Sequence, residues 1–244
     1  SGRNRVGVVL VQDQRIFSAR DVQKADARPG GFTVTGGHGG IIGAVGHEGP
    51  PTLTYIPARR HTYLSEVNFT RLPTAVPGLA QKAVRVKNDA GELLGSAIPK
   101  VAIVKDANYA AERMGEGSED DADLLALIRR NLERYPLCGF VLEGHAPYGT
   151  TSSATRKRVL KSAVYRGMPV VLVGRGNNEG FTGPQGTFIG GRNLTSTKAR
   201  LLLMACLMRF GAPPPAADPE RPTESETKAV DAVLAEYQKV FDSH

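Results

Sequence analysis

Residues 98–104 read IPKVAIV, and two further apolar stretches follow, FVL at residues 140–142 and VVLV at residues 170–173. The strand candidates within them are short and rich in Val, Ile and Leu, with Gly or Pro close by, which is typical of buried strands. Helical patterns lie between these stretches and after the last one. Strands that alternate with helices predict a parallel sheet covered by helices, so residues 98–211 are interpreted as an α/β domain.

The predicted helices of this part have recognisable ends. Ser118 precedes Asp121 by three residues, which resembles a capping box at the start of the first helix. A second helix is predicted over residues 153–166, with Gly167 as a left-handed cap, and a third from near Thr195 to just before Gly211. The first helix carries an apolar stripe at helical spacing: Leu124, Leu125, Leu127, Ile128 and Leu132.

The last helix has the clearest pattern of all. Thr223 and Glu226 have capping-box spacing, and residues 223–244 are therefore predicted to form a terminal helix. The Pro-rich residues 212–222 before it are interpreted as a linker. Its apolar face is formed by Val230, Val233, Leu234, Tyr237, Val240 and Phe241.

The part of the chain before residue 98 is rich in strands and glycine turns. Residues 6–11, 41–45 and 52–56 are strand candidates with no helix between them. The glycine run at residues 36–40 precedes a strand instead of opening a helix, so we interpret it as a tight turn and not as a phosphate cradle. Residues 76–97 are interpreted as a linker that carries a small hairpin.

Composition and charge exclude several classes of protein. The 244 residues contain no apolar run long enough to cross a membrane, and the net charge of +7 is spread thinly. The densest basic cluster, Arg156, Lys157 and Arg158 with Lys161, lies on a predicted helix without interleaved aromatic residues. It is interpreted as a solvated helix face, and no nucleic-acid partner is expected.

Few residue patterns point to a cofactor or to export. Cys138 and Cys206 lie in apolar stretches without metal-ligand spacing, which predicts buried free thiols. No phosphate-binding, dinucleotide-binding or metalloprotease motif is present, and the five histidines share no metal-ligand spacing, so neither a metal nor an organic cofactor is expected. His61 and His145 are interpreted as hydrogen-bonded structural residues. No signal-peptide pattern opens the chain, which favours the cytoplasm over export but leaves the compartment open.

Six ordered blocks over residues 6–210 resemble the bacterial-type L-asparaginase and glutaminase family. Residues 20–24 (RDVQK), 37–40 (GHGG) and 57–62 (PARRHT) match an R-D-V-x-K segment, a G-P-L-G turn and a P-A-[RK]-[RK]-H-T segment. The other three blocks are residues 98–104, the strand at 139–144, and residues 193–201, which resemble the N-L-x-x-x-K-A-R-[LV] helix start. The resemblance implies an asparaginase-like fold, in which residues 1–75 complete an N-terminal α/β domain.

The resemblance also implies that this chain corresponds to the C-terminal half of the enzyme. The family's T-G-G-T and G-T-D-T segments, which carry its catalytic threonines and an aspartate, do not occur in the sequence. By the match to R-D-V-x-K, Lys24 is the catalytic residue that this chain contributes. A partly desolvated lysine in its neutral form can take the proton from a threonine nucleophile. Arg20 and Asp21 are expected to brace the same loop as an ion pair.

The segments that correspond to the family's substrate loops differ from the family pattern. Thr151 replaces the asparagine of the G-x-G-N loop, and Arg175 follows the next strand where the family has R-S-S-R. Thr150, Thr151 and Ser152 offer hydroxyl groups at a helix N-terminus, where an anionic group could be held, although helix capping explains them equally well. Residues 144–153 and 174–190 are predicted to face the ligand, because both follow the carboxyl ends of parallel strands.

These observations support three functional interpretations. The first is an asparaginase-like amidohydrolase that acts on an amino-acid amide or a related small molecule, with the nucleophile supplied from outside this chain. The second is a non-catalytic assembly or binding subunit of the same fold, and the third is an enzyme recruited to a biosynthetic amide transfer or elimination. The chain is expected to form a homo-oligomer or to associate with a complementing N-terminal chain, and no membrane partner is expected.

Overall fold

The computed structural model describes residues 6–34, 40–106, 122–145, 149–175 and 182–244. These parts contain twelve strands and four α-helices. The strands are β1 (Val9–Gln12), β2 (Arg15–Ser18), β3 (Val22–Lys24), β4 (Phe32–Val34), β5 (Ile41–Ala44), β6 (Thr52–Leu53), β7 (Ala75–Pro77), β8 (Ala83–Arg85), β9 (Lys100–Lys105), β10 (Cys138–Gly144), β11 (Val170–Gly174) and β12 (Ile189–Gly190). The helices are α1 (Ala122–Arg134), α2 (Ala154–Val164), α3 (Ser196–Phe210) and α4 (Glu224–Ser243).

A parallel sheet of order β12-β11-β10-β9 organises the second part of the chain. Phe140 of β10 lies opposite Ala102 of β9 on one side and Val170 of β11 on the other. Helix α1 lies in the connection from β9 to β10, and α2 connects β10 to β11, as strands that run in the same direction require. The predicted α/β class, a parallel sheet flanked by helices, is confirmed.

The main hydrophobic core lies around this sheet. The side chains of Phe140 and Leu172 are fully or almost fully buried, and Leu160 of α2 and Leu203 of α3 pack into the same cluster. Tyr237 of α4 is buried as well, and its hydroxyl donates a hydrogen bond to the carbonyl oxygen of Gly211 at 2.5 Å. Burial of apolar side chains on both faces of the strands explains why these segments are almost continuously apolar.

The helix ends follow the sequence signals wherever the structure describes them. The side chains of Ser153 and Thr195 cap α2 and α3 by accepting from the backbone N–H three residues on, and Gly167 has a φ of 91° just after α2. Thr223 and Glu226 form the complete capping box of α4. The predicted start of the first helix at residues 118–121 lies outside the described residues.

Two predictions about the first two helices are wrong. Leu132 belongs to the predicted apolar stripe of α1 but is exposed, whereas Asn131 beside it is buried. Arg156 of α2 belongs to the cluster expected to face water, but it is buried, while Lys157 and Arg158 are exposed. In both cases a neighbouring element decides which side of the helix is covered, and helical spacing alone does not contain that information.

The strand-rich part forms an antiparallel sheet of order β1-β2-β5-β6. The predicted strand at residues 6–11 begins at Val9, and the one at 52–56 is confined to Thr52 and Leu53. Strand β2, between two longer apolar segments, was not predicted. Among the described residues, the separate core of this sheet contains Val6, Ile16 and Ile42 as its buried members.

Two small hairpins complete the fold. Strands β3 and β4 pair with each other, and β7 pairs with β8. Val76 and Val84 of that hairpin belong to the main core, and the N–H of Ala212 donates to the carbonyl oxygen of Pro77 at 2.7 Å. Residues 76–97 and the beginning of 212–222 therefore pack on the α/β part. The division of the chain into domains stays a prediction.

Candidate functional site

The carboxyl ends of β9, β10 and β11 bring three polar residues to one edge of the sheet. Asp106 directly follows β9, His145 follows β10 and Arg175 follows β11. The backbone N–H of Asp106 donates to the carbonyl oxygen of Glu143 at 2.9 Å, and that of Arg175 donates to the carbonyl oxygen of Gly144 at 3.1 Å. Parallel strands end at a common edge, which is where α/β proteins commonly bind ligands.

Asp106 and Arg156 form a buried ion pair at this edge. The Nη1 atom of Arg156 lies 2.9 Å from Oδ1 of Asp106, and both side chains are almost completely buried. The second carboxylate oxygen, Oδ2, lies 3.6 Å from Nε2 of His145 and has no hydrogen-bond partner among the described residues. The pair connects the start of α2 to the end of β9. The sequence does not predict this role of Arg156, because its partner is fifty positions away.

The residues of the predicted substrate loop that carry hydroxyl groups lie a few positions before Arg156 in the sequence. Thr150 pairs through its backbone with His145, and Oγ1 of Thr151 accepts a hydrogen bond from the N–H of Ser153 at 3.1 Å. Ser152 and the Arg175 side chain are exposed. A cavity of only about 20 Å³ borders Thr150 and Thr151. Residues 146–148 and 176–181 of the predicted ligand-facing loops lie outside the described residues, as does most of the glycine run at 36–40.

Lys24 lies elsewhere, at the end of β3 in the β3–β4 hairpin. Its side chain is exposed, and its Nζ donates to the carbonyl oxygen of Arg28 at 2.7 Å. The ammonium lies 4.6 Å from the centre of the Phe32 ring. Asp26 and Arg28 form an exposed ion pair in the turn of the same hairpin, at 2.8 Å. The hairpin therefore holds the ammonium by one hydrogen bond and one cation–π contact.

Arg20 and Asp21 join the strand-rich part to the α/β part. The Nη1 atom of Arg20 forms an ion pair with Asp21 at 2.7 Å, while Nη2 donates to Oδ1 of Asn193 at 2.8 Å and Nε donates to the carbonyl oxygen of His244. Burial lowers the pKa of Arg20, and the carboxylate of Asp21 opposes that shift. Each nitrogen of the guanidinium thus has a partner, so Arg20 acts as a structural connector.

Lys198 of α3 makes a second connection across the same junction. Its Nζ donates to the carbonyl oxygens of Arg20 at 2.6 Å and Val22 at 2.5 Å. Burial lowers the pKa of Lys198 to about 8; Asp21 opposes the shift and Arg20 adds to it. Lys198 lies in the block that resembles the family's K-A-R helix start, but no pattern in the sequence predicts its contact with residues 20–22.

A pocket of about 290 Å³ opens beside this junction. Its walls are mostly apolar, and its polar lining residues include Lys198, Arg60, His61 and His244. The ring centres of His61 and His244 lie 5.2 Å apart, and desolvation lowers the pKa of both imidazoles. Nε2 of His244 lies 2.5 Å from Oγ of Ser65, so His244 is held in a hydrogen-bonded position. This pocket was not predicted, because its residues come from distant parts of the chain.

The described residues contain no group of three or more His, Cys, Asp or Glu side chains arranged to hold a metal ion. Within the same parts of the chain, each helix is too short or too polar to cross a membrane. Cys138 and Cys206 are both buried free thiols, as predicted, and burial raises the pKa of Cys138 to about 12. Such thiols are poor nucleophiles because the reactive thiolate is disfavoured.

Comparison with solved structures supports the fold assignment. The probable cytoplasmic L-asparaginase from Campylobacter jejuni matches with a TM-score of 0.62 and 20% sequence identity, over 98% of this chain and 60% of its own. L-asparaginase I from Vibrio cholerae has a TM-score of 0.47 and 14% identity, over 94% of this chain and 54% of its own. The thermostable L-asparaginase from Thermococcus kodakarensis has a TM-score of 0.41 and 16% identity, over 98% and 56%.

No protein-family model and no curated protein matches the sequence. The chain spans about 60% of the length of the Campylobacter structure. At 20% identity such a match establishes the fold and leaves activity to be argued from the site. The parallel sheet with its flanking helices and the match over almost the whole chain together identify an asparaginase-like α/β fold.

Proposed function

We propose that this chain forms the lysine-bearing part of an asparaginase-like amidohydrolase, whose threonine nucleophile lies on a polypeptide segment outside these 244 residues. The observation that carries the proposal is the fold match over 98% of the chain, combined with the R-D-V-x-K segment that ends in Lys24. The proposed substrate is an amino-acid amide or a related small molecule. The proposed compartment is the cytoplasm, as for the Campylobacter protein.

In this mechanism Lys24 accepts a proton. A nucleophile-bearing segment packed over the β3–β4 hairpin would remove water from the ammonium, and desolvation favours the neutral amine that can act as a base. The amine takes the proton of a threonine hydroxyl, the oxygen attacks the side-chain amide carbon, and the proton is passed to the nitrogen that leaves as ammonia. Water then cleaves the acyl-enzyme. The hydrogen bond to the carbonyl oxygen of Arg28 must break for Lys24 to take part.

The edge of the parallel sheet is the proposed site for the polar groups of the substrate. Thr150, Thr151 and Ser152 offer hydroxyl groups before α2, and Arg175 offers an exposed guanidinium after β11. A guanidinium and hydroxyl groups are suited to a carboxylate, and an amino acid with a side-chain amide, such as asparagine or glutamine, retains its α-carboxylate.

The first test is an ammonia-release assay with L-asparagine and L-glutamine. We expect no release by the isolated 244-residue polypeptide, and release by material purified from its own cells together with a second segment of about 10 kDa, the size of roughly a hundred residues. In that material Lys24→Ala should lower turnover by about two to four orders of magnitude, the usual cost of losing a general base. Intact mass measurement identifies the second segment.

Two control variants make this result specific. Lys24→Arg keeps the positive charge but cannot act as a base, so it should be as inactive as Lys24→Ala. Lys228→Ala removes an exposed lysine of α4 whose partner is Glu224, and it should retain full turnover. If the isolated polypeptide released ammonia and Lys24→Ala abolished that release, the proposal that the nucleophile lies outside this chain would be wrong.

A non-catalytic binding subunit is the second candidate. It is favoured by one observation, namely that the Lys24 ammonium is exposed and engaged with the carbonyl oxygen of Arg28. If this candidate is correct, the purified protein binds an amino-acid amide or its assembly partner, releases no ammonia, and behaves the same when Lys24 is replaced by Ala.

A further inference from the structure

The pocket at the junction is separate from the groups that the proposed function uses. Its walls come from the strand-rich part, for example Val6 and Val8, and from α3, for example Lys198 and Leu202. Neither Lys24 nor the hydroxyl-bearing residues before α2 belong to its lining. The pocket therefore needs an explanation of its own.

The size and the apolar walls of the pocket fit a small molecule. Val67 is a buried member of the wall, and Leu201 and Ala205 of α3 contribute further apolar surface. The volume of about 290 Å³ is roughly twice that of an apolar cavity that binds benzene in another protein. Ligand sites are usually concave and mostly apolar, with a small number of polar groups that orient the ligand.

The ionisable side chains in the walls are all basic. Among the described residues, the lining contains no Asp or Glu, and its ionisable members are Arg20, Arg60, His61, Lys198 and His244. Desolvation lowers the pKa of Lys198, His61 and His244, because burial disfavours their charged forms. Buried positive charge is stabilised by an anion at hydrogen-bond distance, so the walls are suited to a negatively charged group.

Two of these side chains have hydrogen-bond donors that a ligand can use. An ammonium has three N–H donors, and Nζ of Lys198 uses two of them for the carbonyl oxygens of Arg20 and Val22, at 2.6 and 2.5 Å. Asp21, which acts on Lys198 electrostatically, is itself paired with Arg20 at 2.7 Å. The guanidinium of Arg60 uses Nη1 to donate to the carbonyl oxygen of a nearby proline, and it has five donors in all.

We propose that this pocket binds a small carboxylate with an apolar body. The carboxylate accepts a hydrogen bond from the third donor of Lys198, and Arg60 adds positive charge beside it. The hydrocarbon part lies against the apolar walls, which include Val8, Leu201 and Ala205. This inference does not depend on the proposed function, since none of these residues takes part in the proposed reaction.

Other small ligands match the pocket less well. The ammonium of an amino acid or of its amide would lie among basic side chains without a carboxylate from the lining to balance it. Inorganic phosphate has the right charge but would leave the apolar walls in contact with water. A carboxylate with a hydrocarbon body satisfies both the basic groups and the apolar walls.

Isothermal titration calorimetry with octanoate tests the proposal. The sample is the protein purified from the cells that make it, together with any polypeptide segment that accompanies it. Octanol has the same apolar body without the charge, and acetate has the charge without the body. We expect saturable binding of one octanoate per chain, and at least tenfold weaker binding of both octanol and acetate.

Three variants locate the bound octanoate. Lys198→Met should weaken octanoate binding by at least about tenfold, the usual cost of losing a hydrogen bond to a charged group, and should leave octanol binding unchanged. Ala205→Phe fills the pocket and should abolish octanoate binding. Lys228→Met changes an exposed lysine of α4 and should leave all binding unchanged. Circular dichroism and thermal unfolding confirm that each variant folds.

Four outcomes would overturn the proposal. Absence of octanoate binding would show that the pocket is not a carboxylate site, and equal affinities for octanoate and octanol would remove the role of the basic groups. Undiminished binding by Ala205→Phe would place octanoate elsewhere on the protein. Binding to the isolated 244-residue polypeptide but not to the protein from its own cells would show that another polypeptide covers the pocket.

The ammonia assay separates this inference from the proposed function. Octanoate binding that Ala205→Phe abolishes, in a protein that releases no ammonia, would support the pocket and contradict the amidohydrolase. Ammonia release by a protein that binds no octanoate would support the amidohydrolase and contradict the pocket.

Discussion

The two parts of this chain contain similar strands but bury them to different degrees. Strands β9, β10 and β11 lie within a core that also contains the buried apolar side chains of α2 and α3. The described parts of β1, β2, β5 and β6 pack around a much smaller core, whose buried residues are Val6, Ile16 and Ile42. Parallel strands are joined by helices that cover the sheet, so their connections also supply their cover. The antiparallel strands here are joined by turns and by the segment that carries the β3–β4 hairpin, and the described parts of these connections contain no α-helix that would cover the sheet. Their stability therefore depends on what else packs on them.

The largest contrast is expected from two phenylalanines. Phe140→Ala empties a fully buried site in β10 and should lower the free energy of unfolding by about 3–5 kcal/mol. Phe69→Ala removes a side chain that is 62% exposed, and it should change that free energy by less than about 0.5 kcal/mol. Urea unfolding followed by circular dichroism measures both. Equal losses would mean that Phe69 is buried in solution.

Two ion pairs give a second contrast. Asp106→Ala leaves the buried guanidinium of Arg156 without this carboxylate and should cost about 3–5 kcal/mol, whereas Asp26→Ala disrupts an exposed pair and should have little measurable effect on unfolding. Replacing both buried partners, by Asp106→Leu and Arg156→Met together, should recover most of the loss. A double variant that is less stable than Asp106→Ala would contradict this account.

The smallest expected effect is the pH dependence that Lys198 contributes at the junction of the two parts. Its pKa is about 8 in the folded protein and 10.5 in its ordinary state. Between these values the unfolded chain binds more protons, so the unfolding free energy contributed by this group rises with pH from about 8 to 10.5. As the pH falls from 10.5 to about 8 that contribution is lost, and at lower pH the lysine is protonated in both states.

Comparison of variants isolates this term from other titrating groups. The pH profile of unfolding should be flatter for Lys198→Met than for the unsubstituted protein over this range. Lys228→Met, which changes an exposed lysine of α4, should leave the profile unchanged. Parallel profiles for all three proteins would show that the Lys198 ammonium is well hydrated.

The candidate site was only partly predictable. Thr150, Thr151 and Arg175 were placed at the carboxyl edge of the sheet because their position follows from where predicted strands end. Asp106 at the same edge was missed, although it also follows a strand, because no motif marks a lone aspartate as the partner of Arg156. The roles of Lys24 and of the substrate-loop residues stay predictions, and the ammonia-release assay tests the role of Lys24.

Sequence by itself determined the features that depend on neighbours within a few residues. The capping box of Thr223 and Glu226, the left-handed turn at Gly167 and the buried strand at residues 170–173 each follow from local hydrogen bonding or apolar patterning. Only the tertiary structure decided that Arg20 joins Asn193 to His244, and that Arg156 is buried beside Asp106. Such contacts join positions up to 224 residues apart, and the free energy that fixes them comes from desolvation and charge pairing, which depend on how distant elements pack.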